Sequence, residues 1–155
     1  MPSILFVCTA NICRSPMAVA LFLARLQQTQ LEWRSWKVES AGTWADFDQP
    51  ACLEAQQTMA RRGLDISFHR SREVNPFLLE QFNLILTMEK GQKEALRFEF
   101  PKVADRIFML SEMTGTEVNV RDPIGEPINV FEAVADQIDS LLIRGMERII
   151  KLSNS

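Results

Sequence analysis

The chain has 155 residues, 46% of them apolar, with 17 basic against 20 acidic side chains, a composition that describes one compact domain over 1–155 with a core of its own. A net charge of -3 supplies neither the basic stripe that nucleic acid selects nor a polybasic membrane anchor, so no nucleic-acid or membrane partner is expected. The longest apolar run, Met17 to Ala24, falls far short of the roughly 20 residues of a membrane span, the opening run lacks the pattern of a signal peptide, and the chain reads as cytoplasmic.

Ser3 to Val7 is a short apolar run that suits a buried strand. A loop follows, Cys8 to Arg14, and Ser15-Pro16 is a helix-start signal, with Ser as the cap and Pro at the first helical position. That helix is expected from Pro16 to about Gln28, burying Met17, Ala20, Leu21 and Ala24 and turning Arg25 and Gln28 to solvent. A second strand fits Trp36 to Ala41, completing a βαβ unit. Pro50 to Arg62 reads as a helix closed by Gly63, and Asn75-Pro76 caps a short helix through Gln81. Leu84 to Met88 is a third strand, Glu89 to Phe98 a helix and Arg106 to Leu110 a fourth strand. A polar loop covers Ser111 to Glu126, and the last helix spans about Val130 to Leu152, with Phe131, Val134, Ile138, Leu142, Met146 and Ile149 at helical spacing. The alternation implies a doubly wound α/β fold, with a central four-stranded parallel sheet and helices on both faces.

In such folds ligands bind beyond the carboxyl ends of the strands, and a helix N-terminus there attracts anions. The loop Cys8-Thr9-Ala10-Asn11-Ile12-Cys13-Arg14-Ser15 occupies that position and has neither the dinucleotide nor the nucleotide glycine signature. It begins with a thiol and ends with a guanidinium. A turn of this length aims backbone N–H groups inward as an anion nest, and Arg14 adds a two-pronged donor for a tetrahedral oxyanion, which together imply nucleophilic attack on phosphorus. A thiol of ordinary pKa, about 8.5, is only a few per cent thiolate at pH 7, so such a nucleophile needs its thiolate favoured by about two pKa units, each about 1.36 kcal/mol. A helix N-terminus supplies at most about 2 kcal/mol. The loop N–H groups, the Ser15 hydroxyl and the Arg14 charge must provide the rest. By themselves these residues also fit plainer roles: Cys8 as a buried strand-end cysteine, Ser15 as a helix cap and Asp122-Pro123 as a turn. Three cysteines, Cys8, Cys13 and Cys52, with a lone His69 match neither a disulfide scaffold nor a zinc site, and no metal or organic cofactor is expected.

The segment Val7 to Pro16, VCTANICRSP, resembles the signature of the low-molecular-weight protein tyrosine phosphatase family, Cys-x5-Arg-[Ser/Thr] directly after the first strand. The resemblance continues in order through Ser40-Ala41-Gly42-Thr43, His69-Arg70-Ser71-Arg72, Leu84 to Met88 and Asp122-Pro123, and so covers nearly the whole chain. It implies hydrolysis of a phosphorylated protein or small phosphomonoester through a cysteinyl-phosphate, with phosphate as product. In that scheme Cys8 is the nucleophile, Arg14 and the loop from Thr9 to Ser15 hold the phosphate, and Asp122 is general acid and then base. It also implies that Asn11, Ser40 and His69 brace the loop, His69 as a brace rather than a base, and that Ser15 donates to Cys8. Cys13 is a candidate for a reversible disulfide with Cys8, or a small packing residue.

The chain departs from that pattern in places. Ala10 stands where many relatives have Gly, so the loop backbone is expected to differ slightly there. Tyrosine-directed relatives usually place aromatics after Asp-Pro, where this chain has Ile124 and Gly125, leaving Trp44 or Phe47 to supply the opposite wall of a substrate slot. Gly125 resembles the branch that acts on phosphoarginine, but that branch carries Thr where Ile12 stands, so Ile12 favours phosphotyrosine. A thioredoxin-coupled arsenate reductase needs two further cysteines close together, and only Cys52 lies beyond the loop. A phosphopeptide-binding module without catalysis would be expected to lack Cys8 or Asp122, and both are present.

Overall fold

The computed structural model describes residues 1–30 and 32–155. Four parallel strands, β1 (Ser3–Cys8), β2 (Lys37–Gly42), β3 (Leu84–Thr87) and β4 (Ile107–Met109), form a sheet in the order β2-β1-β3-β4. Among the described residues five α-helices connect and cover them: α1 (Arg14–Thr29), α2 (Leu53–Ala60), α3 (Pro76–Leu79), α4 (Lys90–Glu99) and α5 (Ile128–Ser153). Every residue of β1 is buried, because a parallel strand in the middle of a sheet is covered on both faces. Ile4, Phe6 and Cys8 point into one core, with Met17 and Phe22 of α1 and Phe131 and Ile138 of α5. Leu5 and Val7, one residue out of phase, join a second core with Leu79 of α3 and Leu96 of α4. The expected two-faced α/β sandwich is therefore present, and β1 delivers Cys8 to its carboxyl edge between Gly42 of β2 and the end of β3.

Several local expectations shift. α1 starts at Arg14, not Pro16, and Cys13 takes the capping position without a side-chain cap. Ser15 is thus inside the first turn and its hydroxyl is spent elsewhere, while Pro16 still lies where helix N–H groups have no intrahelical acceptor. The buried stripe of α1 runs through Phe22 and Leu26, with Ala20 and Ala24 only half-buried. Arg25 does not simply face solvent: it pairs with Asp139 of α5 at 2.8 Å. α2 begins at Leu53, after Pro50, and α3 ends at Leu79 although Asn75 accepts the Leu78 N–H at 2.8 Å as its sequence predicts. The stretch after β4 is not all loop. Leu110–Thr114 is a 3-10 turn whose buried Met113 packs on α5 at Gly145, where an added Cβ would lie 2.6 Å from the Met113 Cβ. Among the described residues no helix is long and apolar enough to cross a membrane.

Candidate active site

The loop after β1 folds around Asn11, which takes the left-handed conformation at φ 58° and is fully buried. Asn tolerates this region better than most residues. The unusual backbone angle therefore falls on Asn11 and not on Ala10, so no glycine is needed at position 10. Asn11 Nδ2 donates to Ser15 Oγ at 2.8 Å and to Ser40 Oγ at 3.0 Å, and its Oδ1 accepts the Arg72 N–H at 3.0 Å. Its carbonyl oxygen lies 2.6 Å from His69 Nε2. Burial, and then the charges of Arg72 and Arg70, hold His69 below its ordinary pKa despite that bond, so the ring is neutral and Nε2–H donates. Asn11 is thereby bonded to both Ser40 and His69. His69 points at the loop backbone.

Because Ser15 Oγ already accepts from Asn11, its own proton is free for Cys8, whose Sγ lies 3.0 Å away. The loop is also tied to β2: Thr43 N–H donates to the Cys8 carbonyl at 2.9 Å and Trp44 N–H to the Thr9 carbonyl at 3.0 Å. That approach needs Gly42, since a Cβ there would lie 2.4 Å from the Thr9 carbonyl oxygen.

Arg14 is buried, with 1% of its surface exposed. Its Nη1 donates to Glu89 and, at 2.8 Å, to the Val120 carbonyl, while Nη2 lies 3.7 Å from Asp122 Oδ2. Sequence reasoning missed Glu89 and its neighbour Gln92. Gln92 Oε1 accepts the Met88 and Glu89 N–H groups at 3.0 Å, and its Nε2 donates to Thr9 Oγ1 at 3.0 Å. The signal available was position: Glu89 follows the carboxyl end of β3, where fold rules place ligand-contacting residues, and Gln92 sits three residues on at capping-box spacing.

Asp122 arrives from the far side. Val120 N–H bonds to the Met88 carbonyl at 2.8 Å, so the chain runs beside the end of β3 and then turns out through Asp122. Asp122 Oδ1 accepts the Ile124 N–H at 3.1 Å, and Glu126 N–H donates to the Pro123 carbonyl at 2.9 Å around Gly125 at φ 79°. Asp-Pro does start a turn here, and the same turn presents the other carboxylate oxygen to Arg14. Cys8, Arg14 and Asp122 line one small cavity of about 60 Å³, with Ile12 and Ile124 in its wall. Thr9, Ala10 and Ile12 also border a wider groove of about 690 Å³, whose outer side carries Trp44, Asp46 and Gln49. Of the two aromatics considered for the slot, Trp44 lines this groove and Phe47 does not.

Cys13 has a cysteine neighbour outside the loop. Its Sγ lies 2.9 Å from Cys52 Sγ, and all three cysteines are free. The bond to Cys52, with burial, pushes the Cys13 thiol far up, while Cys52, accepting from Cys13 and from the Ala55 N–H, is lowered despite its own burial. Among the described residues no group of three metal-ligating side chains comes together.

A thiol, a hydroxyl donor, a buried guanidinium and a carboxylate at the carboxyl edge of a parallel sheet make a phosphate-handling class of site. The sequence profile of the low molecular weight phosphotyrosine protein phosphatases matches residues 3–153, and the chain belongs to that family. It is 35% identical to a protein-arginine-phosphatase of Geobacillus stearothermophilus, over 94% of this chain and 95% of the relative. It is equally 35% identical, over 88% of both chains, to a probable low molecular weight protein-tyrosine-phosphatase, EpsP, of Ralstonia nicotianae. Among solved structures, a low molecular weight protein tyrosine phosphatase from T. tengcongensis superimposes with a TM-score of 0.89 at 35% identity, covering 96% of this chain and 99% of the other.

Proposed function

We propose that the protein is a protein tyrosine phosphatase that works through a cysteinyl-phosphate. The observation that carries this reading is the single cavity shared by Cys8, Arg14 and Asp122. The Cys8 thiolate attacks phosphorus, an S–P bond forms, and the P–O bond to the tyrosine ring breaks. The Asp122 carboxyl gives its proton to the departing oxygen, which matters because a phenol of pKa about 10 leaves poorly as the anion. Water then attacks phosphorus, the Asp122 carboxylate takes its proton, and phosphate leaves with the thiolate restored. Arg14 and the N–H groups of the loop offset the charge on the oxygens throughout, with Glu89 and Val120 fixing the guanidinium. The residues that act are the chain's own, and the steps call for no metal or organic cofactor.

Ile12 and Ala10 between cavity and groove, with Trp44 beyond, offer an apolar path suited to a phenyl ring. A second reading, a protein arginine phosphatase using the same steps, is favoured by the likeness to the Geobacillus enzyme and by Gly125 after Asp122-Pro123-Ile124. Hydrolysis of matched phosphotyrosine, phosphoarginine and phosphoserine peptides decides: phosphotyrosine is expected to be cleaved best, and a clear preference for phosphoarginine overturns the substrate. Appreciable turnover by Cys8→Ser would overturn the covalent route.

A further inference from the structure

The hydrolytic cycle uses Cys8 and leaves Cys13 and Cys52 with no task, yet these two sulfurs are 2.9 Å apart, nearer than packing alone brings them. A backbone bond holds them together. Cys52 N–H donates to the Ile12 carbonyl at 2.9 Å, which ties the start of α2 to the phosphate loop next to Cys13. Cys13 also lines the same small cavity as Cys8, which places it between the nucleophile's cavity and Cys52.

We propose that Cys13 and Cys52 form a thiol relay that returns oxidised Cys8 to its working state, with Cys52 as the last nucleophile. The proposal rests on Cys8 being the reactive thiol of the proposed function. The oxidant is hydrogen peroxide. Its O–O bond breaks as Cys8 thiolate takes one oxygen, giving Cys8 sulfenic acid and hydroxide. Cys13 attacks that sulfur, a Cys8–Cys13 disulfide forms, and water leaves with the Cys13 proton. The Cys52 thiolate then attacks Cys13 Sγ, forming a Cys13–Cys52 disulfide and expelling Cys8 as thiolate. Peroxide is reduced to two waters, the two electrons come from Cys13 and Cys52, and a cellular dithiol reduces the product disulfide.

Direction follows from chemistry. Exchange runs toward the better-supported leaving thiolate, and Cys8 departs beside the Ser15 hydroxyl donor at 3.0 Å. The sulfur that attacks the disulfide is Cys52, which the Ala55 N–H and the Cys13 contact shift toward its charged form. Cys52 is also the more exposed of the pair, half-buried where Cys13 is buried, so an external dithiol meets it first. The sequence-level pairing of Cys8 with Cys13 becomes an intermediate, and the resting oxidised form lies one sulfur further on.

The test treats reduced enzyme with one equivalent of hydrogen peroxide, alkylates free thiols, and maps cysteines by mass spectrometry alongside activity relative to each untreated sample. Wild type is expected to keep its activity, with a Cys13–Cys52 disulfide and Cys8 free. Cys52→Ser is expected to lose activity with a Cys8–Cys13 disulfide and regain it with dithiothreitol. Cys13→Ser is expected to lose activity with Cys8 held as sulfenic acid, and to lose it irreversibly as sulfinic acid once a second equivalent of peroxide is added. Cys8→Ser is expected to form the Cys13–Cys52 disulfide much more slowly than wild type. A wild-type product holding Cys8–Cys13 with Cys52 alkylated overturns the relay, as does Cys8→Ser forming Cys13–Cys52 at the wild-type rate. Those two results need no Cys52 variant, so a misfolded one does not blunt the test. A failure of untreated enzyme to cleave any phosphorylated peptide counts against the catalytic reading alone, because the cysteine map is read independently.

Discussion

The two walls of the small cavity are built differently. On the loop wall, Asn11 is bonded to Ser15, Ser40, Arg72 and His69, and Thr9 to Trp44 and Gln92, so the loop is fixed from several elements at once. On the opposite wall Asp122 has 43% of its side chain exposed, and one oxygen is held only by its own turn. The oxyanion half of the site is thus set before substrate arrives, which is where preorganised donors are worth most. The acid half is a surface turn able to adjust to the leaving group. Substrate preference should therefore reside on the Asp122 side and in the Trp44 groove, and phosphate affinity on the loop side.

The largest expected effect is that of Cys8→Ser, which should abolish turnover while inorganic phosphate still binds by calorimetry. Asp122→Ala should lower kcat by about 10²–10⁴-fold, most for poor leaving groups, with phosphate affinity kept; an equal loss on phosphate affinity would erase the distinction between the walls. Gly42→Ala works on the other wall. Forcing a Cβ against the Thr9 carbonyl should cost about 1–3 kcal/mol of stability and weaken phosphate binding along with kcat, measured by thermal melts and calorimetry. Gly145→Ala tests whether that coupling is local. Its gain in helix propensity of about 1 kcal/mol is outweighed by the clash with Met113, so the melting temperature should fall with kinetics unchanged. The smallest effect concerns His69. Above its ordinary pKa of 6.5 the ring is neutral in both folded and unfolded chains and the full stability is present. As pH falls below that value the unfolded chain binds the proton first, so stability declines, and melts of His69→Asn across this range should show a shallower decline.

The sheet was legible because fully buried strands announce themselves as apolar runs, and Ser3 to Val7, Leu84 to Met88 and Arg106 to Leu110 all lie within a residue or two of real strands. Cys8 and Arg14 were legible because they sit in a motif and at element ends, Cys8 closing β1 and Arg14 opening α1, whereas Asp122 stood out only through the family resemblance. What escaped depends on contacts distant in sequence. Nothing local marks Glu89 as the partner of Arg14, 75 residues away, or Cys52 as the neighbour of Cys13, 39 residues away. Ser15 misled for a related reason. Ser before Pro reads as a cap, but tertiary bonds to Asn11 and Cys8 claimed its hydroxyl, and the helix began a residue before it.

Among the described residues Arg14 is the one buried charged side chain, and Glu89 already balances it, with Asp122 close by. The chain around it carries a net charge of -3. A doubly negative phosphate ester therefore approaches against the field and is held only once it is inside, by short donors that fit its shape. Association should quicken as salt screens that repulsion, the reverse of an enzyme that steers its substrate from a distance, and the site chooses its ligand by touch.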